Sequence, residues 1–122
     1  MSTFSNQQIA AQPQTVDWPG QSNTKYRYWV YPRHTTFNGQ QPGNYIYAKL
    51  NAQGLWVPIY IGQTGNLNER ITANHEKAGC IDRNGATHIH VHTTPAGEKA
   101  RLAEEKDLIL FWQPVCNIQH VR

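Results

Sequence analysis

Two strand-like runs joined by a tight turn constrain this chain most. Asn44–Leu50 and Leu55–Ile61 are rich in aromatic and β-branched residues, and Asn51-Ala52-Gln53-Gly54 between them is a hairpin connection. Pro58 has no N–H to give to a ladder, so the second run must lie at a sheet edge or carry a bulge. Upstream, Lys25–Tyr31 is aromatic and β-branched and is stopped by Pro32, which predicts an earlier strand. Gly39–Gly43 is a turn cluster between the two.

From Gly65 the period changes. Asn66 is a good N-cap with Glu69 three residues on, Leu67, Ile71 and Ala78 recur at helical spacing, and Gly79 ends the helix. Thr87–Thr93 alternates polar and apolar residues and predicts a fourth strand. Thr94-Pro95 opens a last helix, with proline at its first position, that runs to about Trp112 before Pro114. The order β-β-β-α-β-α lacks βαβ regularity and predicts an α+β domain: a small antiparallel sheet of three to four strands flanked by helices. At 122 residues there is room for one domain with one core. Residues 1–24 read as a flexible N-terminal arm and residues 25–122 as that domain.

Eleven Lys+Arg against eight Asp+Glu give a net charge of +3, which permits nucleic acid as a partner without demanding it. A protein that coats duplex DNA would be far more basic. Cys80 and Cys116 form no CxxC pair, so two reduced thiols in a cytoplasmic protein is the plain expectation. The N-terminal residues carry no basic and apolar signal pattern, and no run approaches the roughly 20 apolar residues of a membrane span, so no membrane partner is expected.

One carboxylate interrupts the last helix. At about 100° per residue, Leu102, Leu108, Ile109 and Trp112 fall within an arc of about 120° with Glu105 near its centre, while Lys99, Glu104, Lys106 and Asp107 fall outside. Desolvating that carboxylate costs several kcal/mol unless an arginine, a proton or a divalent cation neutralises it. Arg101, one turn earlier, offers an ordinary intrahelical ion pair, and both readings stay open at this point.

Gly43-Asn44-Tyr45, the run Tyr60-Ile61-Gly62, Arg70 eight residues beyond Gly62, and Glu105 followed by Leu108-Ile109, Pro114 and Asn117 stand in that order along the chain. Together they resemble the GIY-YIG nuclease superfamily, over about Gly43 to Asn117. Asn44 takes the place of an aliphatic residue, and the family's histidine or tyrosine after the arginine falls on Asn74, with His75 one residue later. The resemblance implies a metal-dependent endonuclease hydrolysing DNA phosphodiester bonds. It implies Glu105 as the ligand of one Mg²⁺ or Mn²⁺, Arg70 as the cation opposing transition-state charge, and Tyr45 as the general base. Tyr60 would bond water or phosphate opposite Tyr45, and His75 is a candidate proton shuttle. Gly62 would let the backbone turn tightly beneath the substrate, and Asn117 would tie the C-terminal turn to the site. Gln63, Arg33 and His90 are candidate substrate contacts. The expected partner is DNA, single-stranded in preference to duplex and gripped by stacking on Tyr26, Tyr28 and Trp29, and the expected state is a monomer or weak dimer.

Other readings coexist. Each tyrosine taken singly is an ordinary strand residue, and the scaffold could serve as a catalytically inactive nucleic-acid-binding module. His88-Ile89-His90-Val91-His92 places three imidazoles on one strand face. With Glu98 beyond it, that face could be a Zn²⁺ or Fe²⁺ site of a cupin-type metalloenzyme, or simply a half-exposed face whose imidazoles stack or meet phosphates.

Overall fold

The structure, a computed structural model, describes residues 14–72 and 75–118. Five strands form one sheet: β1 (Gln14–Pro19), β2 (Lys25–Pro32), β3 (Gly43–Leu50), β4 (Trp56–Thr64) and β5 (His88–Thr93). Their spatial order is β1-β2-β5-β3-β4, and every neighbouring pair is antiparallel. Among the described residues four helices accompany them: α1 (Leu67–Arg70), α2 (Ala78–Arg83), α3 (Glu98–Trp112) and α4 (Val115–Ile118). The α+β antiparallel class expected from the sequence is what the chain adopts.

The strand count exceeds the expected three to four because part of the anticipated arm is structured. Gln14–Pro19 pairs along all of β2 from Lys25 to Val30. Three side-chain bonds hold it there: Trp18 is almost fully buried and donates its indole N–H to His90 Nδ1 at 3.0 Å, Trp112 donates to the Pro19 carbonyl at 2.8 Å, and Ser22 donates to Asp107. The single tryptophan in a polar stretch was the missed signal. Residues 1–13 of the expected arm lie outside the described residues.

A hydrophobic cluster covers each face of the sheet. One joins Trp18, Tyr28, Ile46, Ala48 and Ile61 to Leu108 of α3. The other joins Tyr45, Tyr47, Tyr60, Ile89 and Val91 to Leu67, Ile71 and Ile81. The hairpin is present: Asn51 Oδ1 accepts from the Gln53 and Leu55 amides, and Gly54 takes φ 79°. Both consequences of Pro58 are realised, since β4 is an edge strand and Ile59 bulges where Tyr47 pairs Tyr60 but Ala48 pairs Pro58.

Three expected boundaries move. Asn66 caps α1 by accepting from the Asn68 amide, but that helix stops after Arg70, and Gly79 lies inside α2 rather than ending one long helix. The N–H of Ile71 still reaches Leu67 O, after which β-branched Ile71 and Thr72 leave the helical path and His75 N–H returns to Thr72 O. The last helix begins at Glu98 behind Gly97 at φ 110°, not at Pro95. Among the described residues no helix is long and apolar enough to cross a membrane.

Cys80 and Cys116 are joined in a disulfide, so the expectation of two reduced thiols is corrected and its argument for a reducing compartment goes with it. The bridge ties α2 to α4 across a sequence separation of 36 residues. Closing a loop of that size removes unfolded-state entropy equivalent to about 3–4 kcal/mol. Reduction under non-denaturing conditions is expected to shift the urea midpoint down by a corresponding amount, measured with and without dithiothreitol.

Candidate active site

Tyr45 and Tyr47 alternate onto the face of β3 that looks toward α1 and α2, and Tyr60 pairs with Tyr47 across the ladder. The break after α1 lets His75 fold back among them, with its ring centroid 5.7, 5.9 and 5.3 Å from those of Tyr45, Tyr47 and Tyr60. His75 is therefore brought to the site despite standing one residue late in sequence. Asn74, the position it displaces, lies outside the described residues. Tyr47 is the cage member that sequence reasoning left among ordinary strand residues, although it shares the parity of Tyr45.

The hydrogen bonds of His75 fix its tautomer. The Lys77 amide can only donate, and it reaches His75 Nδ1 at 3.0 Å, so that nitrogen carries a lone pair. The proton of the neutral ring therefore sits on Nε2, which donates to the Tyr45 hydroxyl oxygen at 2.7 Å. Burial, and secondarily the Arg70 charge, pushes the His75 pKa down to about 4, so the ring is neutral at pH 7. This arrangement opposes the expected proton shuttle. His75 is a fixed donor that favours an anionic oxygen on Tyr45.

Burial acts against that anion. Tyr45 is fully buried, and desolvation holds its pKa well above the usual phenol value, with Arg70 pulling the other way. Tyr60 is raised by burial as well and is likewise drawn down by Arg70. Arg70 is half-buried at the end of α1 and pairs with Glu76 at 3.3 Å. Glu76 is largely exposed, so solvent screens the pair, which contributes little stability and can yield Arg70 to an incoming anion.

Gly62 has a reason the sequence did not give. It pairs with Tyr45, and a Cβ placed on it would sit 2.6 Å from both the Tyr45 Cζ and hydroxyl oxygen. It lies within β4 rather than at a tight turn, and its role is to make room for the phenol. Gly62→Ala is expected to cost about 1–3 kcal/mol by overpacking and to move Tyr45 off His75, measurable as a lower urea midpoint.

Glu105 differs from its expected setting. The buried face of α3 is Arg101, Glu104 and Leu108, and Leu102 is 45% exposed, so the wheel centred on Glu105 was turned by roughly one residue. The sheet beneath explains this, because His92, Asn44 and Gln63 lie side by side across β5, β3 and β4. Glu104 takes 2.6 and 2.9 Å hydrogen bonds from the Tyr28 hydroxyl and His92 Nδ1. The Arg101 carbonyl accepts from Asn44 Nδ2, and Arg101 Nε donates to Gln63 Oε1. Glu105 is left half-buried at the β4 side; burial raises its pKa, and the Arg70 charge partly offsets this. Among the described residues no hydrogen bond or ion pair closes on its carboxylate, so the expected alternative pair with Arg101 does not form.

The remaining candidates divide. Asn117 ties the C-terminal turn to β4 through one residue, accepting from Ile61 N–H at 2.7 Å and donating to Ile61 O at 2.8 Å. Arg33 pairs with Asp82 and lines a cavity of about 460 Å³ together with Tyr47 and His75. Gln63 is occupied with Arg101. His90 pairs with Ile46 on the sheet face opposite the tyrosines, away from the candidate site. Tyr28 is fully buried, so stacking by it is excluded, whereas Trp29 is 40% exposed.

The histidine ladder shares one face as expected, but its imidazoles have partners. His90 accepts from Trp18, His92 meets Glu104, and His88 meets Thr87 Oγ1. Among the described residues no group of three or more His, Cys, Asp or Glu side chains is disposed to hold a metal. Nδ1 of His90 accepts from Trp18, so its Nε2 carries the proton; that atom has no hydrogen-bond acceptor, and the Trp56 ring stands edge-to-face 4.6 Å away.

These histidines set a pH signature. His75 and His90 are each lowered to about 4 by burial, so the unfolded chain protonates first and stability should fall as pH drops from about 6.5 toward 4. His92 is raised by its hydrogen bond to Glu104, so its contribution is full below about pH 6.5 and is lost as pH climbs through its higher folded value. Urea midpoints from pH 4 to 8 should rise steeply up to about 6.5 and then flatten or decline.

No family profile, curated protein or solved structure matches this chain.

Proposed function

We propose that the protein is a metal-dependent endonuclease of GIY-YIG type that hydrolyses DNA phosphodiester bonds, with single-stranded DNA preferred. One observation carries the reading: Tyr45, Tyr60 and His75 pack around one point, and the charges of Arg70 and Glu105 both act on Tyr60 there. Two buried phenols, a guanidinium and a carboxylate with no partner among the described residues, gathered in one place, support a functional site.

The residues divide the work as follows. Arg70 binds the scissile phosphate and opposes the charge that grows on its oxygens. Tyr45 Oη, supported by His75 Nε2–H and Arg70, takes the proton of the attacking water as the new P–O bond forms and the bond to the 3′-oxygen breaks. Because burial opposes the phenolate and the substrate phosphate brings further negative charge, Tyr45 would serve as the base only with the positive charge of Arg70 and of a bound cation beside it. Tyr60 orients water or phosphate from the neighbouring strand. Asn117 and Gly62 hold β4 in place beneath them.

The donor set fits a hard cation: Glu105 offers a carboxylate that no hydrogen bond or ion pair among the described residues closes on, and water and phosphate oxygens would complete the shell. Mg²⁺ or Mn²⁺ held there would supply Lewis-acid charge to the phosphate and the leaving oxygen. Incubation of plasmid and of matched single- and double-stranded oligonucleotides with Mn²⁺, Mg²⁺ or EDTA tests the proposal. Cleavage should require the metal and be faster on the single strand. Absence of metal-dependent cleavage on every substrate refutes the nuclease, and a clear duplex preference refutes the strand assignment.

A further inference from the structure

Resting on that nuclease reading, we propose that Arg101 is a second phosphate-binding residue, holding a backbone phosphate next to the scissile one. Arg27, Arg33 and Arg70 each pair with a carboxylate, Asp17, Asp82 and Glu76. Arg101 is only 8% exposed and, among the described residues, pairs with no carboxylate. Its Nε is held by the neutral amide oxygen of Gln63 at 3.1 Å. A buried guanidinium costs several kcal/mol that one amide contact does not recover.

The obvious neutraliser is declined. Glu105 stands one turn later on the same helix, at the spacing where Arg and Glu normally pair. Instead, Asn44 bonds the Arg101 carbonyl at 2.9 Å, and Thr94 Oγ1 bonds Asn44 Oδ1 in turn at 3.0 Å. These bonds fix the helix backbone at Arg101, and among the described residues Gln63 alone holds the guanidinium at the β4 end. Its Nη2 lies 3.7 Å from where a Gly65 side chain would begin, beside the exposed loop that leads into α1 and Arg70. A cation and an anion one turn apart on one helix that do not pair, Arg101 at the β4 end and Glu105 acting on Tyr60 of the same strand, suit a ligand that satisfies both. A nucleic-acid strand does so, with one phosphate on Arg101 and the next on Arg70 and the Glu105-held cation. Asn44 thereby gains a reason to replace an aliphatic residue.

The test uses the full chain with Arg101→Met and Arg101→Lys, reading oligonucleotide affinity in EDTA at several salt concentrations, KM and kcat in Mn²⁺, and thermal midpoint. Arg101→Met should weaken binding about tenfold and flatten the slope of log K against log salt by about 0.7, the share of one single-strand phosphate. It should raise KM more than it lowers kcat, and leave the midpoint unchanged or higher, since a buried charge has been removed. Arg101→Lys should keep the salt slope with weaker binding. Unchanged affinity and slope in both variants, with or without a fall in midpoint, overturn the inference while leaving the nuclease standing. If Arg101→Met does not fold, the lysine variant decides: a wild-type KM overturns the inference. A wild-type chain that neither binds nor cuts DNA removes both proposals at once.

Discussion

Glu105→Gln is expected to abolish metal-dependent cleavage, lowering kcat by about a thousandfold or more, with almost no change in stability. The substitution keeps the shape of the side chain and removes the charge that a dication needs. On the proposed mechanism, several kcal/mol of transition-state stabilisation would come from that cation, and each 1.4 kcal/mol is about tenfold in rate. Stability should hold because no protein hydrogen bond or ion pair among the described residues depends on the carboxylate, and burial already raises its pKa. Single-turnover cleavage with saturating Mn²⁺, alongside urea denaturation, measures both halves. A variant that loses stability and activity together would place Glu105 in the framework instead.

Its neighbour should behave in the opposite way. Glu104→Ala leaves the fully buried Tyr28 hydroxyl without its acceptor and His92 without its carboxylate. Removing one partner from a buried charged network costs about 3–5 kcal/mol, so the urea midpoint should fall sharply while m stays constant. The folded fraction should still cleave DNA at close to the wild-type kcat. Equal stability losses for the two glutamates would contradict the register of α3 on the sheet.

That pair also shows where the sequence was legible and where it was not. Strands β2 to β5, the Asn51–Gly54 hairpin, the Asn66 cap and the bulge beside Pro58, at Ile59, rest on local chemistry that could be read directly. The helical wheel failed because it assumes an apolar partner surface. Here α3 lies over a polar row, His92, Asn44 and Gln63, made by three strands that no local pattern aligns. Non-local pairing also hid the disulfide, whose cysteines meet only when α4 folds back under β4. Tyr45, Tyr60 and Arg70 were legible from order and spacing. The place of His75 depends on a helix that stops early, and the need for Gly62 depends on the phenol across the ladder. Neither can be read from one strand alone.

The most direct measurement is the position of manganese in crystals grown with a non-cleavable phosphorothioate oligonucleotide, located by anomalous scattering. The account predicts one Mn²⁺ on the Glu105 carboxylate, with a phosphate oxygen in its shell, Arg70 on the same phosphate, and the Tyr45 hydroxyl bonded to His75 on one side and facing the attacking water on the other. Manganese bound at the histidines of β5, or Glu105 turned onto Arg101 with no ion near the two phenols, would contradict it.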